Sequence, residues 1–491
     1  MLAAGGNALD AAIAVNLTLG VVTPYLCGYG GDLFVMVWHD GNLQAYNGSG
    51  RAAAAATPEQ VRGATGLDDM PLFGPHSVTV PGAVEAWFAL LERFGTRSFG
   101  DLAATARRYA DDGFVLSERA TSFIERSRAV YPKETAWNAV YGTLRAGSAL
   151  KQPGLVRTID ALSTKGPDAY YRGEIGASIV TTLRERGAAM SLEDLAGHAG
   201  EWVEPMRTAY RGLEILEMPP NTQGVAALEA LRIVEHCGGL PVDVTERQHL
   251  LIEATKLALA DRDRYVTDPK AMTIAPEQLI DDEWISARAA TIDPSIALRP
   301  DPGRPAPGGT AYMCAADATG MCVSLIQSNY VGFGSGVHVP EWGINLQNRG
   351  GYFSLDPGHV NVIAPRKRTM HTLIPALVLR GGEPALVFGS MGGDGQAQTH
   401  LQLLTRIVDD GDDPQQAIDA PRWVVSPGDW AVSIEQPAGS DLIEGLRAKG
   451  HDVREVGALD SMMGHAHAIR VDSDGYAAAT DPRTEGAALG L

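Results

Sequence analysis

The chain has 491 residues and a formal net charge of −19, with 45% apolar and 20% charged side chains. This composition is typical of a folded protein with a large core and argues against a disordered chain. The negative charge would repel phosphate groups, and the longest basic cluster, Arg366, Lys367 and Arg368, is too short to offset it. We therefore expect neither nucleic acid nor a membrane surface as a partner.

The first predicted element is a helix after Asn7, which can cap it, with Asp10 three residues later. Because the chain opens at a helix start, we expect that an upstream strand, with any signal peptide, has been lost. The sequence contains no basic leader followed by an apolar stretch, and no apolar run long enough to span a membrane. A cytoplasmic location is therefore expected.

Further along the chain, apolar residues at helical spacing predict helices at residues 82–94 and 245–265, the second capped by Thr245. Residues 299–309 are rich in proline and glycine and predict a loop or tether. Beyond them, short apolar runs between turn residues predict a β-rich region, which begins with a hairpin of strands at 312–316 and 321–327.

Several standard chemical signatures are missing from the sequence. It contains no GxSxG, GxxxxGK[ST] or HExxH motif, which disfavours a serine hydrolase of the α/β type, a P-loop enzyme and a zincin. His465 and His467 alternate on a predicted strand, but such a pair packs or is solvated more often than it binds a metal. The cysteines lack metal-like spacing and are expected to be free thiols: Cys27, Cys237, Cys314 and Cys322.

Residues 384–408 predict an apolar strand, a glycine-rich turn and a helix that begins near residues 396–399. Free backbone N–H groups in such a turn, beside a helix N-terminus, suit an anion, which could be a phosphate or the oxyanion of an acyl-transfer intermediate. The absence of a P-loop lysine favours the oxyanion. A plain strand-to-helix connection remains the alternative.

Thr310 follows two glycines at the entry to the predicted hairpin. A threonine hydroxyl is a weak nucleophile unless a base takes its proton, and its own free α-amine, with a pKa of about 8, can do so. That amine exists only if the chain is cut before Thr310. Gly309 lacks a Cβ and so admits the hydroxyl to the preceding carbonyl, while the upstream tether would let the cut end move away. A simple turn before a strand is the alternative interpretation.

With these residues in view, nearly the whole chain resembles the γ-glutamyltranspeptidase family of N-terminal-nucleophile hydrolases. The matching stretches run in order along the sequence: GGNALDAAIAV, GYGGDLFVMV, VPGAVEAW, MPPNTQG, LIEATKLALADRDRY, GTAYMCAADATGMCVSLIQSNYVGFGSGV, HTLIPALVL, GSMGGDGQAQ, DAPRW and DPRTEG. The resemblance implies an α+β fold, the αββα sandwich of two stacked antiparallel sheets flanked by helices.

The resemblance also implies the site. Thr310 would be the nucleophile and the new N-terminus after the zymogen cuts itself between Gly309 and Thr310. Residues 1–309 would then form a large subunit and 310–491 a small subunit, an α/β heterodimer with one shared core that could dimerise further. Ser328 matches a hydroxyl that bonds to the nucleophile, and Gly392 and Gly393 match the backbone oxyanion donors.

Substrate-facing positions depart from the family pattern. Members that act on γ-glutamyl compounds hold the α-amino group with an Asn and an Asp, whereas the aligned residues here are Tyr330 and Tyr352. A tyrosine hydroxyl is not the anionic partner that an ammonium group prefers. The paired serines that bind the α-carboxylate align with His371 and Thr372, and the carboxylate-binding arginine is matched only by Arg51, about three residues late.

Arg349 occupies a position that is usually neutral in the family, so it could supply a substitute cation for an acidic acyl group. An exposed loop arginine is the alternative. The segment 353–371 is short for the family, which suggests that the lid of many members is absent and that bulky leaving groups are admitted.

The resemblance implies an amidohydrolase or acyltransferase without metal or organic cofactor, in which Thr310 attacks a side-chain amide and water or an amine resolves the acyl-enzyme. A γ-glutamyltransferase or glutathione hydrolase is the family default. An acylase acting on dicarboxylic monoamides, of the glutaryl-cephalosporin type, fits the altered pocket. The remaining alternative is a binding homologue that has kept the fold and lost the chemistry.

Overall fold

A computed structural model describes residues 1–131, 136–301, 303 and 308–490. Within the predicted tether 299–309, residues 302 and 304–307 lie outside the described residues. In the part of the chain that is described, no helix has the length and apolar character that crossing a bilayer requires.

Helices predominate in the first three hundred residues, and most of the longer strands lie in the remainder of the chain. The α-helices are α1 (Ala8–Val22), α2 (Pro58–Thr65), α3 (Ala83–Phe94), α4 (Phe99–Asp112), α5 (Glu118–Val130), α6 (Ala136–Tyr141), α7 (Pro153–Lys165), α8 (Asp168–Tyr171), α9 (Glu174–Arg184), α10 (Leu192–Ala196), α11 (Gly224–His236), α12 (Val244–Tyr265), α13 (Asp282–Ala289), α14 (Gly395–Thr405), α15 (Pro414–Asp419) and α16 (Ser440–Ala448). The strands are β1 (Asp32–His39), β2 (Asn42–Asn47), β3 (Phe114–Val115), β4 (Ala149–Leu150), β5 (Glu201–Val203), β6 (Met206–Tyr210), β7 (Leu213–Glu217), β8 (Gly309–Ala316), β9 (Cys322–Tyr330), β10 (His338–Val339), β11 (Ile344–Asn345), β12 (Ala376–Arg380), β13 (Glu383–Met391), β14 (Trp423–Val425), β15 (Val432–Glu435), β16 (Val453–Val456), β17 (His465–Asp472) and β18 (Gly475–Thr480). A 3₁₀ turn covers Arg349–Tyr352, and a π-helical turn covers Arg406–Asp410.

The first of two compact units comprises residues 1–40, 45–203 and 308–369. Its main sheet has the strand order β5-β2-β1-β9-β8, and β9 is buried along its whole length between the antiparallel partners β1 and β8. Helices α1, α3, α4 and α7 contribute Leu9, Trp87, Leu102 and Ile159 to the core of this unit. Burial of such large apolar side chains on one side of a sheet is the main source of its stability.

The second unit comprises residues 41–44, 204–307 and 370–491. Its main sheet has the order β18-β17-β13-β12-β7-β6, with antiparallel pairing throughout. Helix α11 packs against β6, β7 and α12, and α14 packs against α11 and β13. A smaller sheet, β14-β15-β16, contains the parallel pair β15 and β16.

The predicted elements are largely confirmed, with shifted ends. Asn7 caps α1 as expected, because its side chain accepts a hydrogen bond from the Asp10 amide at 2.9 Å. The cap of α12 was wrongly assigned to Thr245: the Asp243 carboxylate accepts from the Glu246 amide at 3.0 Å, so the helix begins at Val244. Strand β8 begins earlier than predicted and includes Thr310.

The four cysteines are free thiols. Cys314 is paired in register with Ser324, and Cys322 with Ala316, so the two thiols of the hairpin are not opposite each other. Burial raises the pKa of both thiols to about 12, which keeps them protonated and unreactive at neutral pH.

Candidate active site

Thr310 lies at an irregularity in the pairing of β8 with β9. Gly309 is paired with Tyr330 and Ala311 with Gln327, and the register shifts between Gly309 and Ala311. A bulge of this kind re-aims one side chain relative to the regular ladder. Thr310 is consequently buried, at 2% exposure, although it lies close to the start of the strand.

The hydroxyl group of Ser328 connects Thr310 with the carbonyl that precedes it. Thr310 Oγ1 donates to Ser328 Oγ at 3.2 Å, and Ser328 Oγ in turn donates to the carbonyl oxygen of Gly309. The Tyr330 amide also donates to Ser328 Oγ, at 2.7 Å. The single proton and both lone pairs of the serine hydroxyl are therefore used, which fixes its orientation. The hydrogen bond from the Ser328 hydroxyl polarises the Gly309 carbonyl, which directly precedes Thr310 in the chain.

A side chain at Gly309 would be in tight contact with backbone atoms. A Cβ atom there would lie 3.2 Å from the Gly332 nitrogen and 3.3 Å from the carbonyl oxygens of Tyr25 and Tyr330. These neighbours are backbone atoms, which cannot rotate away as side chains do. These contacts favour glycine at residue 309, and the predicted approach of the Thr310 hydroxyl to the preceding carbonyl stays a prediction.

Three of the predicted substrate-facing residues form one buried group in the same unit. The guanidinium carbon of Arg349 lies 3.8 Å from the ring centroid of Tyr330, a cation–π contact. The rings of Tyr330 and Tyr352 meet edge to face, with centroids 6.4 Å apart at 83°. Tyr330 has a φ of +78°, which is rare for a bulky residue and typical of functional sites. Arg349 is 2% exposed, so the alternative of an exposed loop arginine is wrong.

Asp32 is a further residue of this group that the sequence analysis did not single out. It heads β1 and is paired in register with Ser328. Its Oδ1 accepts from the amides of Gly50 and Gly82, both at 3.2 Å. Burial raises the pKa of Asp32 to about 7, against the opposing charge of Arg349 and these two hydrogen bonds. The only available signal was a carboxylate at the start of an apolar strand.

Arg51, predicted to bind a substrate carboxylate, is engaged by protein groups. Its Nη2 donates to Glu201 Oε1 at 2.9 Å and its Nη1 to the Arg366 carbonyl at 3.3 Å. The same glutamate pairs with Arg368, which also donates to the Ser49 carbonyl at 3.0 Å. In this structure the Arg51 guanidinium thus has a carboxylate partner within the protein.

The second unit contains the predicted anion-binding turn, between β13 and α14. Gly392 and Gly393 have φ values of +146° and +59°, which disfavour any residue with a side chain. Their carbonyls accept from the amides of Gly395 and Gln396, at 2.9 and 3.2 Å. Helix α14 begins at Gly395, so the turn leads directly into the positive end of a buried helix.

Gln223 braces this turn, a role that the sequence analysis missed. Its Nε2 donates to the carbonyls of Gly393 and Thr372, both at 2.9 Å. Its Oε1 accepts from Arg262, which also pairs with Asp394 at 2.5 Å. The stretch MPPNTQG matches the family, and the apolar face of α12 indicates a structural helix, but neither pattern predicts this brace. Only the folded arrangement reveals that both hold the glycine turn.

His371 and Thr372 lie buried next to the same brace. The His371 amide donates to the Asn221 carbonyl at 2.8 Å, and its carbonyl accepts from the Gln223 amide at 2.9 Å. The His371 ring accepts from the Leu373 amide at 3.3 Å. The two predicted carboxylate-binding residues and the predicted oxyanion turn are therefore connected within the second unit.

Among the described residues, His249, Glu253 and His451 form a group of the type that holds metals, with ligand atoms within 4.8 Å of one another. The buried ammonium group of Lys256 donates to Glu253 at 2.8 Å, to His451 Nδ1 at 3.2 Å and to the Leu298 carbonyl at 3.0 Å. Burial lowers the pKa of His451 to about 3, so its ring is neutral and can accept this bond. The ammonium group thus supplies the positive charge in this cluster.

Comparison with known proteins gives matches over the full chain. The family model described as Gamma-glutamyltranspeptidase matches residues 1–491. The glutathione hydrolase-like YwrD proenzyme of Bacillus subtilis is 39% identical, over 99% of this chain and 94% of that protein. The oxamate amidohydrolase proenzyme of Klebsiella pneumoniae is 35% identical, over 100% of this chain and 95% of that protein.

A solved structure agrees with the sequence matches. The crystal structure of cephalosporin acylase from Bacillus halodurans superimposes with a TM-score of 0.93 at 38% identity, covering 99% of this chain and 92% of that one. This match confirms the predicted α+β class, in which antiparallel sheets are flanked by helices.

Proposed function

Since the chain belongs to the gamma-glutamyltranspeptidase family of self-cleaving N-terminal-nucleophile hydrolases, we propose that Thr310 is its nucleophile, released by cleavage of the bond to Gly309. The main support for this proposal is the series of hydrogen bonds from the Thr310 hydroxyl to Ser328 and from Ser328 to the Gly309 carbonyl. Residues 1–309 and 310–491 would then be the two chains of the mature protein.

The proposed cleavage is an N-to-O acyl shift followed by hydrolysis. Thr310 Oγ1 attacks the Gly309 carbonyl carbon, its proton passes to Ser328, and Ser328 gives its own proton to the carbonyl oxygen. The new hydroxyl then gives its proton to the nitrogen as the C–N bond breaks and the carbonyl re-forms, so that an ester joins Gly309 to the Thr310 oxygen. Water hydrolyses the ester and leaves a carboxylate on Gly309 and a free α-amine on Thr310.

In the mature protein, the free amine of Thr310 acts as the general base for its own hydroxyl. The hydroxyl attacks a substrate amide, an amine leaves, and water or a second amine resolves the acyl-enzyme. The resemblance assigns the oxyanion donors to Gly392 and Gly393. Support within their own unit comes from the positive φ values of the turn and from the brace by Gln223.

We infer that the acyl group carries a free carboxylate in addition to the scissile amide, and that Arg349 binds it. Both γ-glutamyl compounds and dicarboxylic monoamides have such a carboxylate. The dicarboxylic monoamide is favoured because Tyr330 and Tyr352 stand where the family binds an ammonium group. The similar proteins include an oxamate amidohydrolase and a cephalosporin acylase, as well as a glutathione hydrolase-like protein. The short segment 353–371 supports a site without a lid, open to bulky amines.

The cleavage is tested with Thr310→Ala. Wild-type protein should yield a chain whose first residue is Thr310, whereas the variant should remain a single chain of 52.0 kDa. Thr319→Ala, in the exposed turn of the same hairpin, is the matched control and should be cut like the wild type. Denaturing gels and intact mass measure the result. Cleavage of Thr310→Ala at the same bond, or a wild type that is active while uncut, would falsify the assignment.

The acyl group is tested by comparing p-nitroaniline release from γ-glutamyl and glutaryl anilides with cleaved protein. We expect the glutaryl anilide to have the higher kcat/KM. A preference for the γ-glutamyl anilide would support the family default of a glutathione hydrolase or γ-glutamyltransferase. Release from neither would support the binding homologue.

A further inference from the structure

The carboxyl group of Asp32 has no part in the chemistry proposed above, although it lies in the same buried region. It is 1% exposed and is paired in register with Ser328, the residue that contacts both Thr310 and Gly309. The amides of Gly50 and Gly82 donate to one of its oxygens. A buried carboxylate is costly unless a cation compensates it, so the groups around it are informative.

Two tyrosines of α8 are influenced by the charge of this carboxyl group, and their hydroxyls donate to the carbonyls of Tyr29 and Pro81, both at 2.8 Å. Burial, with a contribution from the charge of Asp32, raises the pKa of Tyr170, and burial also raises that of Tyr171 well above its ordinary value. Both phenols therefore stay neutral across the working range of pH. Ser328, across the strand pair, is also uncharged.

The cations that act on Asp32 are Arg349 and, to a smaller extent, Arg368. Arg368 is committed elsewhere, since it pairs with the Glu201 carboxylate and donates to the Ser49 carbonyl. Arg349 lies against Tyr330, whose amide bonds to Ser328. Arg349 is thus the cation that both interacts with Asp32 and is proposed to bind the acyl carboxylate.

We propose that Asp32 is a specificity-determining residue. The ionised carboxylate neutralises the charge of Arg349 and so competes with the acyl carboxylate of the substrate. The protonated carboxyl group does not compete. This inference rests on the proposed role of Arg349 in the function above. It makes the affinity for a carboxylate-bearing acyl group depend on pH, while the affinity for an uncharged acyl group does not.

The direction of the pH dependence follows from the raised pKa of Asp32, about 7, which burial causes. Below this pH the carboxyl group is mostly neutral and does not offset the charge of Arg349, whereas above this pH the carboxylate offsets it. If only the protonated form binds the acyl carboxylate, raising the pH from 6 to 8 reduces the competent fraction and weakens binding roughly tenfold. Asp32→Asn keeps an oxygen that can accept from Gly50 and Gly82 but never ionises.

The kinetic experiment compares KM for glutaryl and pentanoyl p-nitroanilide at pH 6 and pH 8. In the wild type, the KM ratio of glutaryl to pentanoyl substrate should rise about tenfold with pH. In Asp32→Asn it should stay at its low value at both pH values. Asp40→Asn makes the same chemical change at an exposed turn of this unit and should behave like the wild type.

A binding experiment separates this inference from the proposed function. Glutarate and pentanoate, which differ only in the second carboxylate, are titrated into wild-type and Asp32→Asn protein by calorimetry at both pH values. Glutarate binding that weakens about tenfold with pH only in the wild type, without hydrolysis of any anilide, supports Asp32 and contradicts the proposed chemistry. Hydrolysis with a KM ratio that does not change with pH overturns the role of Asp32 alone. If the protein shows neither glutarate binding nor anilide hydrolysis, both the role of Asp32 and the proposed function are overturned. If Asp32→Asn does not fold, the pH dependence of the wild type decides.

Discussion

The proposed cleavage depends on one side chain, the hydroxyl of Ser328. It accepts the proton of Thr310 and donates to the carbonyl that Thr310 attacks. A neutral hydrogen bond contributes about 1 kcal/mol to stability, but a donor aimed at a developing oxyanion contributes more to a rate. The same serine should therefore matter little for folding and much for cleavage.

Ser328→Ala should slow cleavage between Gly309 and Thr310 roughly a hundredfold, the usual effect of removing one oxyanion donor. The disappearance of the uncut chain on denaturing gels measures the rate. Ser324→Ala is the control, because Ser324 lies buried on the same strand and bonds to the Tyr312 hydroxyl at 2.9 Å. Equal cleavage rates for the two variants would show that the Ser328 hydroxyl does not take part.

Local residue patterns led to Thr310 and to the turn with Gly392 and Gly393, and the family resemblance led to Ser328. Asp32 and Gln223 could not be found in this way. The position of Asp32 depends on the register of β1 against β9, and the role of Gln223 depends on contacts with Thr372 and Gly393. Such long-range pairings are set by packing of the whole sheet, which local patterns do not encode.

Helix α12 contributes to a buried polar network that binds the segment around Asp293 and Leu298, which precedes the proposed cleavage site. Lys256 donates to the Leu298 carbonyl, and the Leu298 amide donates to Glu253 at 2.6 Å. His249 lies 2.8 Å from the Asp293 carbonyl. The apolar spacing and capping residue that predict this helix do not indicate that several of its polar side chains are buried, among them His249, Glu253 and Lys256.

Removing the cation from this network should destabilise the protein. Lys256→Met leaves the Glu253 carboxylate buried without its partner, which costs about 3–5 kcal/mol of unfolding free energy. Urea unfolding in the uncut Thr310→Ala chain measures this without dissociation of two chains. Replacing both residues, Glu253→Gln with Lys256→Met, should recover much of the loss.

Arg207→Ala is the control for that measurement, because Arg207 pairs with glutamates at the surface and should cost less than about 1 kcal/mol. If Lys256→Met costs no more than Arg207→Ala, the network contributes little to the stability of the chain.

The proposed cleavage at Thr310 does not divide the whole molecule into its two compact units, because each unit contains residues from both sides of Thr310. In the first unit, β1, β2 and β5 precede Thr310, while β9 follows it and pairs with β1 from Asp32 to Trp38. In the second unit, β6 and β7 precede the cut, and β12 follows it and pairs with β7. The family resemblance predicts a division of the chain at Thr310 with one shared core, but local patterns do not indicate which strands from the two sides pair in each sheet.

This interleaving predicts that the two chains stay together after cleavage. Cutting one peptide bond leaves the buried ladders of β1 with β9 and of β7 with β12 intact. Cleaved wild type and uncut Thr310→Ala should therefore elute at the same volume in size-exclusion chromatography, and the wild-type peak should give two bands on a denaturing gel. Because buried backbone hydrogen bonds and apolar contacts are hardly screened, adding salt to about 1 M should not separate the chains, whereas urea should. Two separate peaks in native buffer would mean that the ladders do not hold the cleaved chains together.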